Sequence, residues 1–159
     1  MKFREIIQLA GDIALCEGVG VAGGLFTAGS VNSEWYANLR KPGFQPPGAI
    51  FGPVWTLLYA LMGVALFLVQ KKKSGGKAPL YRAFAVQLVL NLLWTLLFFG
   101  LRRPWAAFVE IIALWAAIVV TTVLFWRVSR WAAILLMPYL AWTSFATLLT
   151  GALWRLNSR

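Results

Sequence analysis

Five long apolar runs, broken by short clusters of Lys, Arg, Gly and Pro, set the pattern of this chain. They cover residues 6–26, 50–69, 80–101, 105–126 and 131–153, each close to the ~20 residues that cross a hydrocarbon core as a helix. The pattern predicts an all-α integral membrane protein: one membrane domain over residues 1–159, built as a five-transmembrane-helix bundle. A long first loop over residues 29–49 interrupts it. The first run has a rival reading as a secretory signal, because Ala28, Gly29 and Ser30 offer small residues for cleavage. Its length and the acids Asp12 and Glu17 favour a retained span. Small residues recur along it at helical spacing, Ala14, Gly18 and Ala22 on one face and Gly20 and Gly24 on another, which predicts close packing on at least one neighbouring helix.

The links between runs set the neighbours. Arg102-Arg103-Pro104 and Arg127-Val128-Ser129-Arg130 are so short that the spans they join must lie antiparallel and adjacent. The segment Lys71-Lys72-Lys73-Ser74-Gly75-Gly76-Lys77 reads as a flexible, basic connector. No internal repeat is visible, which weighs against a transporter made of inverted halves.

The first loop is unlike an ordinary surface loop. It carries Trp35, Tyr36, Leu39 and Phe44, flanked by Glu34, Arg40 and Lys41. Pro42, Pro46 and Pro47 together with Gly43, Gly48 and Gly52 predict that no regular helix continues between Pro42 and Gly52. So apolar a loop should fold back over something apolar, and the mouth of a cavity between the spans is the natural candidate.

Composition agrees with the hydropathy pattern. Of 159 residues 60% are hydrophobic and 13% charged, with a mean hydropathy of +0.73, too apolar for a soluble domain. The formal charge of +10 sits in clusters between the runs, as interfacial anchors do, so nucleic-acid binding is the poorer reading. Nine Lys and Arg (Lys2, Arg4, Lys71, Lys72, Lys73, Lys77, Arg82, Arg127, Arg130) fall on the side of the N-terminus, against six (Arg40, Lys41, Arg102, Arg103, Arg155, Arg159) on the other. This places the N-terminus in the cytoplasm and the first loop and C-terminus outside. With no His and a single Cys, Cys16, the chain lacks the inventory for a Ser-His-Asp triad, a structural zinc site or a His-ligated haem.

Candidate chemistry is concentrated in aromatic and amide side chains. Trp105, Trp126, Trp131 and Trp154 stand at span ends, where indoles anchor in the headgroup region. Gln87, Asn91 and Trp94 fall at i, i+4 and i+7 and share one face of the third span, while Tyr139, Trp142, Thr143 and Ala146 share one face of the fifth, just after Pro138. Trp55 and Tyr59 are one turn apart in the second. An amide in hydrocarbon must be bonded, so these faces point inward. Three helices and a lid thus converge on an aromatic pocket suited to a large, flat, mostly apolar ligand with a polar edge. A bundle core whose polar groups bond only one another fits the same spacing. Glu17, near the middle of the first span, and Glu110 in the fourth are intramembrane carboxyls. Glu17 reads either as a proton-coupling group or as a neutral, hydrogen-bonded interior residue.

These residues together resemble the translocator protein / tryptophan-rich sensory protein family, formerly the peripheral benzodiazepine receptors. The resemblance is carried by Trp35-Tyr36, Leu39, Lys41-Pro42, Pro46-Pro47-Gly48, Trp55-Thr56 with Tyr59, Asn91 with Trp94, and Pro138-Tyr139 with Trp142 and Phe145-Ala146-Thr147. It implies five transmembrane helices, a homodimer, and a pocket under the first loop for porphyrins and drug-like molecules. It also implies that Trp35, Trp55 and Trp142 are pocket tryptophans, Asn91 a ligand-contacting amide and Ala146 a position that tunes binding. Where the family loop usually has Trp between Lys-Pro and Pro-Pro, this chain has Phe44, which keeps the apolar lid without an indole donor. The family's sterol motif is absent, because the first basic residue after Tyr139 is Arg155, so sterol binding is not supported.

The resulting expectation is a porphyrin or tetrapyrrole binder acting as sensor, scavenger or carrier, with Trp35, Phe44, Pro46, Pro47, Trp55, Tyr59, Gln87, Asn91, Trp94, Tyr139, Trp142, Thr143 and Ala146 around the ligand. No cofactor is required and porphyrin enters as ligand, held without axial ligation. The alternatives are a photochemical porphyrin-degrading enzyme, with Trp35 and Trp142 as its catalytic residues, and a proton-coupled small-molecule exporter using Glu17.

Overall fold

The structure is a computed structural model that describes residues 2–73 and 75–158. Ser74 of the basic connector and Arg159, counted above on the outer side, lie outside the described residues. Helix α1 is Phe3–Val31, α2 the short Glu34–Asn38, α3 Gly48–Lys71, α4 Ala78–Thr95, α5 Pro104–Val128 and α6 Arg130–Leu156. Five of them, all but α2, are long and apolar enough to cross a membrane.

Local chemistry sets most boundaries. Ser33 caps α2 and Ser129 caps α6, their side chains accepting from the backbone N–H of Tyr36 and Ala132. Pro79 and Pro104 stand in the first turns of α4 and α5, where a missing N–H costs nothing. Two boundaries differ from the sequence expectation. Helix α1 runs on to Val31, inside the supposed loop, and α3 begins at Gly48, so Gly48, Gly52 and Pro53 are helical. Pro47 is the N-cap of α3 and Gly48 opens it, where N–H groups have no helical partners, whereas Pro53 stands inside the helix and leaves the Ala49 carbonyl without its backbone donor.

The spans form a closed ring. Helix α1 packs on α3, α3 on α6, α6 on α5, α5 on α4, and α4 with its C-terminal extension returns to α1. Both short links therefore join adjacent antiparallel helices, as their length demands. The half of the ring away from the first loop is solid: Cys16, Met62, Ala65 and Val69 are fully buried there, and Phe84 of α4 stacks on Phe125 of α5 with ring centroids 5.8 Å apart. Gly63 sets the α1–α3 spacing, since a Cβ there would lie 2.5 Å from the Ile13 Cα. Closer to the loop, Gly20 packs under the Tyr59 ring and Gly23 against Thr95. By contrast Ala14 and Gly18 are exposed on the lipid side, so only one of the two small-residue faces of α1 makes a helix contact.

Beyond Thr95 the chain widens into a single π turn, Leu96–Gly100, closed by a 2.7 Å bond from the Leu101 N–H to the Leu96 carbonyl. The extra residue lets consecutive Phe98 and Phe99 both face the bundle's open half. Arg102, just after it, adopts a left-handed φ of 53°, uncommon for a residue with a side chain.

Candidate functional site

The open half of the ring encloses a cavity of about 670 Å³, within the range of small-molecule sites. Four helices and the loop wall it. From α3 come Phe51, Trp55 and Tyr59; from α4 and its π turn Asn91, Trp94, Thr95, Phe98 and Phe99; from α6 Trp142, Ala146, Leu149 and Thr150. Helix α1 supplies a stripe of mainly small residues, including Gly20, Gly24, Thr27 and Ala28, with Glu17 at its deep end. Tyr36, Lys41 and Gln45 of the loop cover the mouth.

The deep end is a polar chain set into an aromatic wall. The Tyr59 hydroxyl donates to Asn91 Oδ1 at 2.5 Å, and Asn91 Nδ2 donates to the Tyr139 hydroxyl at 2.8 Å. This fixes the amide's orientation and links α3, α4 and α6 at one level. Burying all three groups is tolerable because each finds a partner. Above them Trp55 lies 5.7 Å from Tyr59 and 6.4 Å from Trp94, Trp94 stacks on Phe98 at 5.9 Å, and Phe51 meets Trp142 edge-on at 5.7 Å. The indole N–H groups of Trp94 and Trp142 are buried, with no hydrogen-bond partner among the described residues.

The loop is braced within itself and tied to the C-terminal helix at two places. Lys41 Nζ stands 4.4 Å from the centre of the Tyr36 ring, and Gln45 Nε2 donates to the Tyr36 hydroxyl at 3.3 Å. Asn157, just past α6, accepts from the Arg40 N–H at 2.9 Å and donates to the Arg40 carbonyl at 3.0 Å. Phe44 packs edge-on against Phe145 at 6.3 Å.

Of the residues singled out from the sequence, the structure brings Trp55, Tyr59, Asn91, Trp94, Trp142 and Ala146 to the cavity wall. Tyr139 is fully buried behind them, bonded to Asn91 and edge-on to Trp55 at 6.3 Å. Gln87 and Thr143 are buried on the same helix faces, with Gln87 Nε2 3.8 Å from the Met62 sulfur. Trp35 lies outside the wall, edge-on to Phe98 at 6.0 Å and beneath the Arg102 guanidinium at 5.8 Å. Phe44, Pro46 and Pro47 belong to the loop's outer course. Sequence reasoning had no place for the α1 wall, although residues 17, 20, 24, 27 and 31 recur at helical spacing and could have signalled it. Nothing local in the sequence marks the π turn or Asn157. Among the described residues no three His, Cys, Asp or Glu side chains converge as a metal site.

Fold and site define a class: a multi-pass membrane bundle with an aromatic-walled cavity beneath its first loop. Comparison with known proteins identifies it further. A model of the TspO/MBR family matches residues 13–155, and the chain belongs to that family. It is 43% identical to the tryptophan-rich protein TspO of Archaeoglobus fulgidus, over 97% of this chain and 99% of that one. To the corresponding protein of Chlorobaculum tepidum it is 44% identical over 97% and 98%. It is also 42% identical to the human translocator protein, over 78% of this chain and 75% of the relative.

Proposed function

We propose that this protein binds porphyrins and related tetrapyrroles, and flat drug-like molecules, in the cavity, acting as sensor, scavenger or carrier. The observation that carries this reading is the pair Trp94 and Trp142, whose rings wall a cavity of about 670 Å³. A flat conjugated ligand stacks on such rings. Lys41 at the mouth supports an orientation with the ligand's carboxylates outward. With no His in the chain, the macrocycle is held without axial ligation, so iron-free porphyrin should bind about as well as haem.

The test is a titration of the purified protein with protoporphyrin IX, read by tryptophan quenching. Saturable quenching that is lost when bulky residues replace Ala146 and Gly24 supports the proposal. Quenching that survives a filled cavity refutes it. The photochemical reading has one observation in its favour, that Trp142 lines the cavity, where a bound macrocycle would lie against an oxidisable ring.

Assembly and orientation are parts of the same proposal. We place the N-terminus in the cytoplasm and the C-terminus outside, in the cell membrane if the host is bacterial, with two copies forming a homodimer. The structure puts Glu5 and Lys71 in an ion pair of 3.1 Å, so the N-terminal end of α1 and the basic connector share one face. Neutralising Lys71, Lys72 and Lys73 should therefore produce mixed orientation in cysteine-accessibility labelling.

A further inference from the structure

Glu17 lines the same cavity. It stands 14 residues from each end of α1, about 21 Å of helix rise either way, and so near the bilayer midplane. Among the described residues no side chain donates a hydrogen bond to it and no cation pairs with it, the ion pair found there being that of Glu5 and Lys71. The cavity's other charge, Lys41, sits at the mouth over Tyr36. That is the level of the C-terminal end of α1, again about 20 Å of rise away. A carboxylate at this depth is expensive unless it is neutral or paired.

The surroundings suggest what would pair with it. Gly20, one turn further along α1, is in contact with the Tyr59 ring, and Tyr59 lies against Trp55, which lies against Trp94. Tryptophan and tyrosine faces attract cations through the ring quadrupole, most strongly where water is excluded. We propose that Glu17 and these rings form a subsite for a flat aromatic cation, one whose positive nitrogen meets the carboxylate while its ring system stacks on Trp55. The ligand class is opposite in charge to a tetrapyrrole dicarboxylate. The proposal shares the cavity of the tetrapyrrole reading but does not depend on it.

The test uses a pair of probes matched in shape: 10-methylacridinium, a cation, and 9-methylanthracene, in which carbon replaces the charged nitrogen. Both are titrated against the full-length protein in lipid nanodiscs, with empty nanodiscs subtracted and protoporphyrin IX as a third ligand. Glu17→Gln should weaken 10-methylacridinium about tenfold, since the charge contact is lost while the rings remain. It should change 9-methylanthracene by less than about twofold. In the wild type the cation should displace protoporphyrin competitively, a measurement that decides the matter even if the variant does not fold. Equal losses of cation and neutral probe in Glu17→Gln, no loss of either, or a protoporphyrin that binds the wild type but is not displaced by the cation would overturn the proposal. If Glu17-dependent cation binding persists while protoporphyrin fails to bind the wild type, the tetrapyrrole reading falls alone.

Discussion

Asn157 exchanges two hydrogen bonds with the backbone of Arg40, at 2.9 and 3.0 Å across 117 residues of sequence. The same amide nitrogen also donates to the Leu153 carbonyl at 2.8 Å, so it is held by its own helix while it holds the loop. A side-chain amide matches a peptide group edge to edge, which is why one Asn can clip a loop to a helix end. Asn157→Ala removes both bonds. Each is partly exposed and worth about 0.5 to 1.5 kcal/mol, so the loop should open more often. Stopped-flow release of bound protoporphyrin should be several-fold faster with global stability little changed. An unaltered off-rate would mean that the loop does not control exit.

The Tyr59–Asn91–Tyr139 chain should be the most sensitive polar feature of the bundle. Asn91→Leu leaves two phenolic hydroxyls buried without partners, each costing about 1 to 3 kcal/mol. Tyr59→Phe removes only the donor to Asn91 Oδ1 and should cost less. Thermal unfolding in detergent, followed by tryptophan fluorescence, should rank Asn91→Leu well below Tyr59→Phe and both below the wild type.

Two glycines on facing helices should behave oppositely. At Gly63 an added Cβ would lie 2.5 Å from the Ile13 Cα and 2.7 Å from its nitrogen. Backbone cannot yield as a side chain does, so Gly63→Ala should push α1 from α3 and destabilise by about 1 to 3 kcal/mol. At Gly24 an added Cβ would meet nothing within 4 Å, and the residue lines the cavity. Gly24→Ala should leave stability unchanged, and Gly24→Leu should lower ligand affinity by filling space. Paired unfolding and titration curves check both.

Trp142 and Trp35 occupy different places, and their variants should separate. Trp142 lines the cavity, where Phe51 meets it edge-on. Trp142→Phe keeps a ring and should retain most binding, while any indole-dependent light-driven loss of porphyrin should disappear because Phe is much harder to oxidise. Trp35 packs outside the wall on Phe98, so Trp35→Ala should act through Phe98 and the loop, speeding ligand release with a smaller effect on affinity. Affinity, off-rate and porphyrin bleaching measured on both variants test this division. Abolished binding in Trp142→Phe would contradict the stacking role.

Some of this protein was written locally in the chain. Hydrophobic run length alone decided that there are five spans, because a helix crossing hydrocarbon must carry about 20 apolar residues in sequence. Short links decided which neighbours pair, and helical spacing put Asn91 with Trp94 and Trp142 with Ala146 on inward faces. The aromatic first loop announced a covering role through its composition. What sequence could not separate was an open cavity from a polar core closed on itself, since both need the same residues on the same faces. The tertiary structure decided it through distances between distant residues: Gly63 brings α1 against α3 in one half, and in the other the α1 stripe from Glu17 to Ala28 stands back from Trp55 and Trp142. It also turned Tyr139 from a wall residue into a support, and placed Trp35 behind Phe98. The π turn that presents Phe98 and Phe99, and the clip between Arg40 and Asn157, arise only once the ring closes. Periodicity fixes which way a side chain faces; how far away its partner stands is set by helices that the chain brings together later.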